Sequence, residues 1–145
     1  MYWWTKGQKC SWCDIETESP RVGGSKSAMM ISGSEAEVSV PRGLIVCSQC
    51  HRARNGWPLD KEVIGLLKLG RILHDRFDIA SGTIHKIDSG YNNIYISKAG
   101  SCIIAVEHET LDVSVRYNLK SHMYNVPTKE EILDISKEVM SSLKS

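Results

Sequence analysis

The sequence predicts an α+β fold in which a small cysteine-rich module precedes a helix, an antiparallel β-meander and a C-terminal helix. Three observations support this fold class. Cysteines occur as two Cys-x-x-Cys pairs within the first 50 residues, apolar residues alternate with a period near two over residues 82–118, and a helical repeat closes the chain. We expect residues 1–57 to form the cysteine-rich module, residues 58–81 a connecting helix, and residues 82–145 the meander and final helix.

The paired cysteines, Cys10 with Cys13 and Cys47 with Cys50, predict a metal site. Two thiolates three positions apart on a tight turn can bind one metal ion from the same side, and two such turns complete the tetrahedron of a structural Zn²⁺ site. The alternatives are a pair of disulfides, which need an oxidising compartment although no secretory signal is visible, and a redox motif, which needs only one pair. We therefore expect a Cys₄ zinc finger, with Cys102 as an inert core thiol in an apolar strand.

Composition and charge are those of an ordinary folded protein. Hydrophobic residues make up 41% of the 145 residues, charged residues 24%, and the formal net charge is +1. Such a charge gives no global field that would attract a membrane or nucleic acid. No apolar stretch reaches the 18 residues of a membrane span, so we expect a cytoplasmic protein without a membrane partner.

Tryptophans cluster around both cysteine pairs. Trp3, Trp4 and Trp12 surround the first pair, and Trp57 follows the second. Small metal modules have too little volume for a large aliphatic core, so we expect these rings to form an aromatic core around the metal. The alternative is that one exposed ring stacks on a nucleic-acid base.

Strand-like runs separate the two cysteine pairs. Ala28–Ile31 and the alternating run Ala36–Val40 flank Gly33, which predicts a hairpin. Residues 42–46 predict a further strand that leads directly into the second pair. Pro58 favours the start of a helix because its missing N–H would be unpaired there.

The second half of the chain predicts four strands and a helix. The strands are expected at Thr83–Ile87, Asn93–Ser97, Cys102–Glu107 and Leu111–Tyr117. Their short connections favour an antiparallel meander. Thr128 and Glu131 form a capping box, and the apolar stripe of the helix that follows is expected to pack on the sheet.

The segment from Arg42 to Arg54 reads Arg-Gly-Leu-Ile-Val-Cys-Ser-Gln-Cys-His-Arg-Ala-Arg. It resembles the second zinc knuckle of HNH and endonuclease VII-like nucleases, in which a strand enters a Cys-x-x-Cys, His or Asn follows, and a basic residue and a helix come next. The Arg-Gly-Leu approach looks most like the phage junction-resolving branch. The resemblance covers about residues 8–70 and implies a treble-clef zinc fold, association with nucleic acid and a phage-type origin.

The resemblance does not extend to the nuclease active site. Such nucleases carry a catalytic Asp-His or His-His pair between the knuckles, which polarises water and holds Mg²⁺. Residues 14–46 contain no histidine, and only His51 matches a family functional position. We therefore expect a non-catalytic binding or regulatory protein on a degenerate nuclease scaffold. An Mg²⁺-dependent DNA endonuclease that uses His51 is the alternative.

Basic residues are densest next to the cysteine pairs. Residues 1–57 carry seven Lys/Arg and five Asp/Glu. The cations in or beside the knuckles are predicted to contact nucleic-acid phosphates, of DNA more than RNA: Lys9, Arg42, Arg52 and Arg54. A further alternative is an adaptor or inhibitor, in which zinc is only a staple and the C-terminal half binds another protein.

Overall fold

The computed structural model describes residues 4–31, 43–87, 90–107, 110–118 and 121–144. Within these ranges the chain is an α+β protein with two antiparallel sheets, which confirms the predicted class. In chain order the elements are β1 (Ala28–Met30), β2 (Ile45–Cys47), α1 (Ser48–Arg54), α2 (Lys61–Phe77), β3 (Ile79–Ser81), β4 (His85–Ile87), β5 (Gly90–Ser97), β6 (Cys102–Glu107), β7 (Asp112–Tyr117) and α3 (Lys129–Lys144).

The small sheet joins β1 to β2, the strand that enters the second cysteine pair. The two strands are antiparallel, with Ala28 opposite Cys47. The expected hairpin partner of β1, the run at residues 36–40, lies outside the described residues. One helix was not expected: α1 begins at Ser48, inside the second Cys-x-x-Cys, with Cys47 as its N-cap.

Helix α2 begins three residues later than the predicted start at Pro58 and ends four residues before the predicted end at residue 81. Asp60 rather than Pro58 starts it, because the Asp60 carboxylate accepts a 2.9 Å hydrogen bond from the Val63 amide. The helix runs through Gly70 without a break. A Cβ at Gly70 would lie 3.2 Å from the Tyr95 ring, so this glycine lets the helix pack closely on the sheet.

The larger sheet contains the predicted meander, because β5, β6 and β7 are consecutive antiparallel neighbours. Both β3 and β4 pair with β5, each along a different part of its length. Strand β3 was expected to be the end of the connecting helix; instead, Asp78 adopts a left-handed conformation that ends α2, and the chain turns into the sheet.

One face of this sheet packs on α2 and α3, and the other face is open. Tyr95 and Ile104 point inward and are fully buried, and the Tyr95 hydroxyl donates a 3.0 Å hydrogen bond to the Leu66 carbonyl on α2. The capping box of α3 forms as predicted, with Thr128 and Glu131 bonded reciprocally at 3.1 and 3.2 Å. Among the described residues, no helix has the length and apolar character needed to cross a membrane.

Buried side chains form one cluster that extends from the cysteine pairs, across α2, to the sheet and α3. The paired cysteines therefore lie at one end of a shared core. The division into units at residues 57 and 81 stays a prediction.

Two adjacent isoleucines on β6 test which face of the sheet carries the core. Ile104 is fully buried and Ile103 is 40% exposed. We expect Ile104→Ala to lower the free energy of unfolding by about 2–5 kcal/mol, because it leaves a cavity. Ile103→Ala, the matched control, should cost less than about 1 kcal/mol. Urea unfolding of both variants measures this, and equal losses would contradict the assignment of the inner face.

Candidate metal centre and adjacent basic surface

The first cysteine pair lies on a tight turn closed by main-chain hydrogen bonds. The Cys10 amide donates to the Ile15 carbonyl at 2.8 Å, and the Asp14 amide to the Cys10 carbonyl at 3.0 Å. Asp14 adopts a left-handed conformation, with φ of 65°, which reverses the chain. The amides of Trp12 and Cys13 lie 3.4 Å from the Cys10 sulfur. Such N–H donors stabilise negative charge on a thiolate.

The second pair is positioned by the start of α1. Cys47 ends β2 and caps the helix, and its sulfur accepts a hydrogen bond from the Cys50 amide at 3.4 Å. The two knuckles are tied together, because both the amide and the hydroxyl of Ser11 donate to the Ile45 carbonyl at 3.0 Å. The fold therefore turns all four sulfurs toward one point.

The four sulfur atoms form a cage of the size that a metal ion requires. All of them lie within 4.8 Å of one another, and the Cys13 and Cys47 sulfurs are 3.7 Å apart. A tetrahedral Zn²⁺ site with Zn–S bonds of about 2.3 Å has sulfur–sulfur edges of about 3.8 Å. All five cysteines are free thiols, so the structure contains a Cys₄ group that could hold a metal, as the sequence predicts.

The four thiols shift one another's pKa values because they are close together and mostly buried. Hydrogen bonds from neighbouring thiols, first from Cys10, hold the pKa of Cys47 well below its usual range. The same contacts, with Cys10 again first, raise the pKa of Cys50. The group thus shares a limited number of protons. A bound metal needs every ligand as a thiolate, so metal binding would displace those protons.

Arg71 contacts this centre and was not anticipated from the sequence. It lies on α2, is 3% exposed, and donates from Nη2 to the Cys47 sulfur at 3.0 Å. Burial disfavours its charge, but Coulombic attraction to Cys47 and the hydrogen bond outweigh it, so the pKa of Arg71 is raised. A signal did exist in the sequence: Arg71 follows the buried Val63 and Leu67 at intervals of four, which places a cation on the apolar stripe of α2.

The aromatic core expected around the metal is present in part. Trp12 is buried, and the guanidinium of Arg54 lies 5.4 Å from its ring centroid. Trp57 is half-buried and donates to the Ile84 carbonyl at 2.8 Å, and Trp4 donates to the Thr17 hydroxyl at 2.9 Å. Trp3 lies outside the described residues.

The predicted phosphate contacts separate into three groups. Arg54 is only 4% exposed and donates to the Trp57 carbonyl at 3.2 Å. It is therefore not part of the basic surface that the sequence predicts. Lys9 and Arg52 are exposed, and Arg52 also donates to the Ser81 carbonyl at 2.7 Å. Arg42 lies outside the described residues.

A groove of about 480 Å³ runs beside α1, close to the second knuckle. His51 and Arg52 line one wall and the Gly23-Gly24 loop lines another. Next to it, a second hollow includes Met30 and shares Met29 with the first. No carboxylate is among the described residues that line either hollow. The groove therefore combines a cationic end with an apolar end.

Comparisons with known proteins add no relative for this chain. No family model, no curated protein and no solved structure matches it. The likeness of about residues 8–70 to HNH and endonuclease VII-like nucleases therefore rests on the sequence alone, and stays a prediction.

Proposed function

We propose that the protein is a nucleic-acid-binding protein whose N-terminal half is a treble-clef-like module stapled by structural Zn²⁺. The observation that carries the binding function is the groove beside α1, which joins Arg52 to the half-buried Met29 and the exposed Met30 and has no carboxylate among its described lining residues. The zinc staple and the groove are adjacent because α1 supplies residues to both.

The order of elements supports the treble-clef-like description. A knuckle with Cys10 and Cys13 precedes the antiparallel pair β1–β2, and the second knuckle then opens a helix. Four thiolates close the coordination sphere without a position for water or substrate, which is typical of structural rather than catalytic zinc. Thiolate softness and a tetrahedral arrangement favour zinc or iron over Mg²⁺ and Ca²⁺.

Metal analysis tests the proposed structural Zn²⁺ site directly. We expect one zinc ion per chain by mass spectrometry, with Zn–S distances of about 2.3 Å by X-ray absorption. Cys47→Ser should lose most of the zinc and unfold the N-terminal half, because metal binding supplies folding free energy there. Cys102→Ala is the matched control, since Cys102 is equally buried but outside the cage. Iron in place of zinc, or full zinc occupancy in Cys47→Ser, would contradict the proposal.

The groove suits one nucleotide unit better than a neutral ligand. Arg52 provides a guanidinium for a backbone phosphate. Met29 is half-buried and Met30 is 39% exposed, and a thioether makes favourable contacts with an aromatic ring such as a base. Lys9, exposed on the first knuckle, adds a second cation on the same module. Contacts of this kind are largely independent of sequence.

A salt titration of nucleic-acid affinity tests the groove. We expect Arg52→Ala to weaken binding of single-stranded and duplex DNA about five- to tenfold, equivalent to about 1–1.4 kcal/mol. It should also lower the slope of log K against log salt by about one unit, because one phosphate contact is lost. Fluorescence anisotropy with labelled DNA and RNA at several salt concentrations measures both quantities.

Two further variants make this test specific. Lys137→Ala removes one exposed cation from α3, which packs on α2 and β7, and should leave affinity unchanged. Met30→Glu adds a carboxylate at the apolar end and should weaken binding. Since Arg52 also bonds the Ser81 carbonyl, the unfolding midpoint of Arg52→Ala is measured alongside. Equal affinity of Arg52→Ala and Lys137→Ala at every salt concentration would refute the groove as the binding site.

We propose that the protein binds nucleic acid without hydrolysing it. The segment between the knuckles has no histidine to pair with His51, and a single imidazole cannot both ligate Mg²⁺ and activate water. The same DNA substrates incubated with Mg²⁺ provide the check. Cleavage abolished by His51→Ala would establish the endonuclease alternative.

An adaptor function is the second candidate, and the open face of the larger sheet favours it. Ile94, Ile96 and Ile103 are 44%, 47% and 40% exposed, and Ile96 lies opposite Ile103 in the register. Grouped exposed apolar side chains are typical of protein–protein contact sites. Absence of DNA and RNA affinity, together with a protein partner that Ile96→Lys loses and Lys137→Ala retains, would favour this candidate.

A further inference from the structure

Arg71, on α2, contacts the Cys47 sulfur, which also accepts a hydrogen bond from the Cys50 amide of α1. Its Nη2 lies 3.0 Å from that sulfur and 2.9 Å from the Ser25 carbonyl. Its Nη1 lies 3.5 Å from both the Ser25 hydroxyl and the Asp75 carboxylate. An arginine is rarely buried without a charged partner. The closest anionic partner here is the thiolate, since the Asp75 contact is longer and that side chain is 32% exposed.

The first role of a cation at this position is to offset the negative charge of a metal-loaded cage. A Zn²⁺ ion bound by four thiolates has a net charge of about −2, and burying uncompensated charge is costly. The guanidinium of Arg71 reduces that charge at the sulfur it touches. Arg54, the other buried arginine among the described residues, is bonded to a carbonyl and faces the Trp12 ring. Lys68 pairs with Asp14 nearer the surface, at 3.6 Å.

Geometry adds a second reason. The Ser25 carbonyl that receives Arg71 also accepts a 3.3 Å hydrogen bond from the Gln49 amide of α1. Arg71 therefore links α2 to the loop before β1 and, through Cys47, to the start of α1. A donor at a fixed point on the sulfur orients its remaining lone pairs, as outer-shell hydrogen bonds do in metal sites.

We infer that Arg71 is a positioning residue of the metal centre: its guanidinium orients the Cys47 thiolate and offsets the charge of the loaded cage, so that metal release is slow and Cys47 resists electrophiles. This inference rests on the proposed metal site. It also makes metal retention depend on α2, a helix that contributes no ligand and packs on the C-terminal sheet.

Three substitutions separate charge from hydrogen bonding. Arg71→Lys keeps the charge but loses the fork geometry, Arg71→Gln keeps a donor without charge, and Arg71→Met removes both. Lys68→Met is the matched control, since it removes one cation from the same helix, one turn earlier. Leu69→Ala is the stability control, because Leu69 is fully buried on that helix but belongs to the apolar core.

The rate of zinc transfer to a chromogenic chelator is the main measurement. We expect Arg71→Met to accelerate transfer at least tenfold, the lower end for loss of an outer-shell partner, with Arg71→Gln and Arg71→Lys between it and the parent. Lys68→Met should match the parent. Alkylation of metal-loaded protein by iodoacetamide, with the modified cysteine identified by mass spectrometry, should become faster at Cys47 in the same order.

A spectroscopic readout excludes a merely structural role. In Co²⁺-substituted protein, the thiolate-to-cobalt charge-transfer band should shift in the Arg71 variants, and stay unchanged in Leu69→Ala. The inference would be overturned if Arg71→Met transfers zinc at a rate within twofold of Lys68→Met. It would also be overturned if Arg71→Met and Leu69→Ala accelerate zinc transfer equally and neither shifts the charge-transfer band. If Arg71→Met does not fold, Arg71→Gln and Arg71→Lys are judged by the same criteria. If the unsubstituted protein binds no metal, the proposed Zn²⁺ site itself is refuted. Failure of the proposed site and failure of the role of Arg71 are therefore distinguishable.

Discussion

The convergence of four cysteine sulfurs is the constraint on which the N-terminal half depends. Within the described residues 4–31 and 43–57, the secondary structure is too short to be stable by itself, since β1 and β2 have three residues each and α1 has seven. Ser11, the sulfur atoms and the packing of Arg54 on Trp12 link the first knuckle to the second. A metal that replaces thiol protons would convert these weak links into one rigid centre.

Helix α2 packs between the cysteine group and the larger sheet. Its apolar side chains join the cluster that extends from the cysteines to the sheet. Gly70 lets it approach Tyr95 closely, and Leu66 accepts the Tyr95 hydroxyl. Arg71 faces the other way, onto the Cys47 sulfur. The cysteine group is therefore linked to the sheet through α2, alongside the hydrogen bonds that join α1 to Ser81 and Ile84.

The burial of two arginines limits which cations could contact nucleic-acid phosphates. Arginines near the knuckles are natural candidates for phosphate contacts, yet Arg54 packs against Trp12 and Arg71 against a thiolate. Both are buried because each finds a partner that offsets its desolvation: an aromatic face in one case and a negative sulfur in the other. Among the described residues, Lys9 and Arg52 are the predicted phosphate contacts that stay exposed, which fits a modest contact with a nucleic-acid backbone.

Features that depend on residues close together in the sequence were predictable, because interactions between those residues determine them. The cysteine spacing predicted the Cys₄ group, alternation predicted β5, β6 and β7, and the Thr128–Glu131 capping box predicted the start of α3. The short helix α1 was missed, because its first turn coincides with the cysteine pair and has no apolar repeat of its own. Strand β3 was missed because its three residues continue an apolar run after α2, and only pairing with β5 makes them a strand.

The sequence by itself determined which residues could bind a metal and which segments would alternate or repeat. Tertiary structure alone decided which arginines are exposed. Arg52 and Arg54 differ by two positions on one helix, and nothing in their spacing distinguishes them. The packing of α1 against Trp12 buries Arg54 and leaves Arg52 in solvent, and the packing of α2 brings Arg71 to a sulfur 24 positions earlier in the chain. Burial of a charge depends on partners that are distant in sequence, so a one-dimensional pattern cannot specify it.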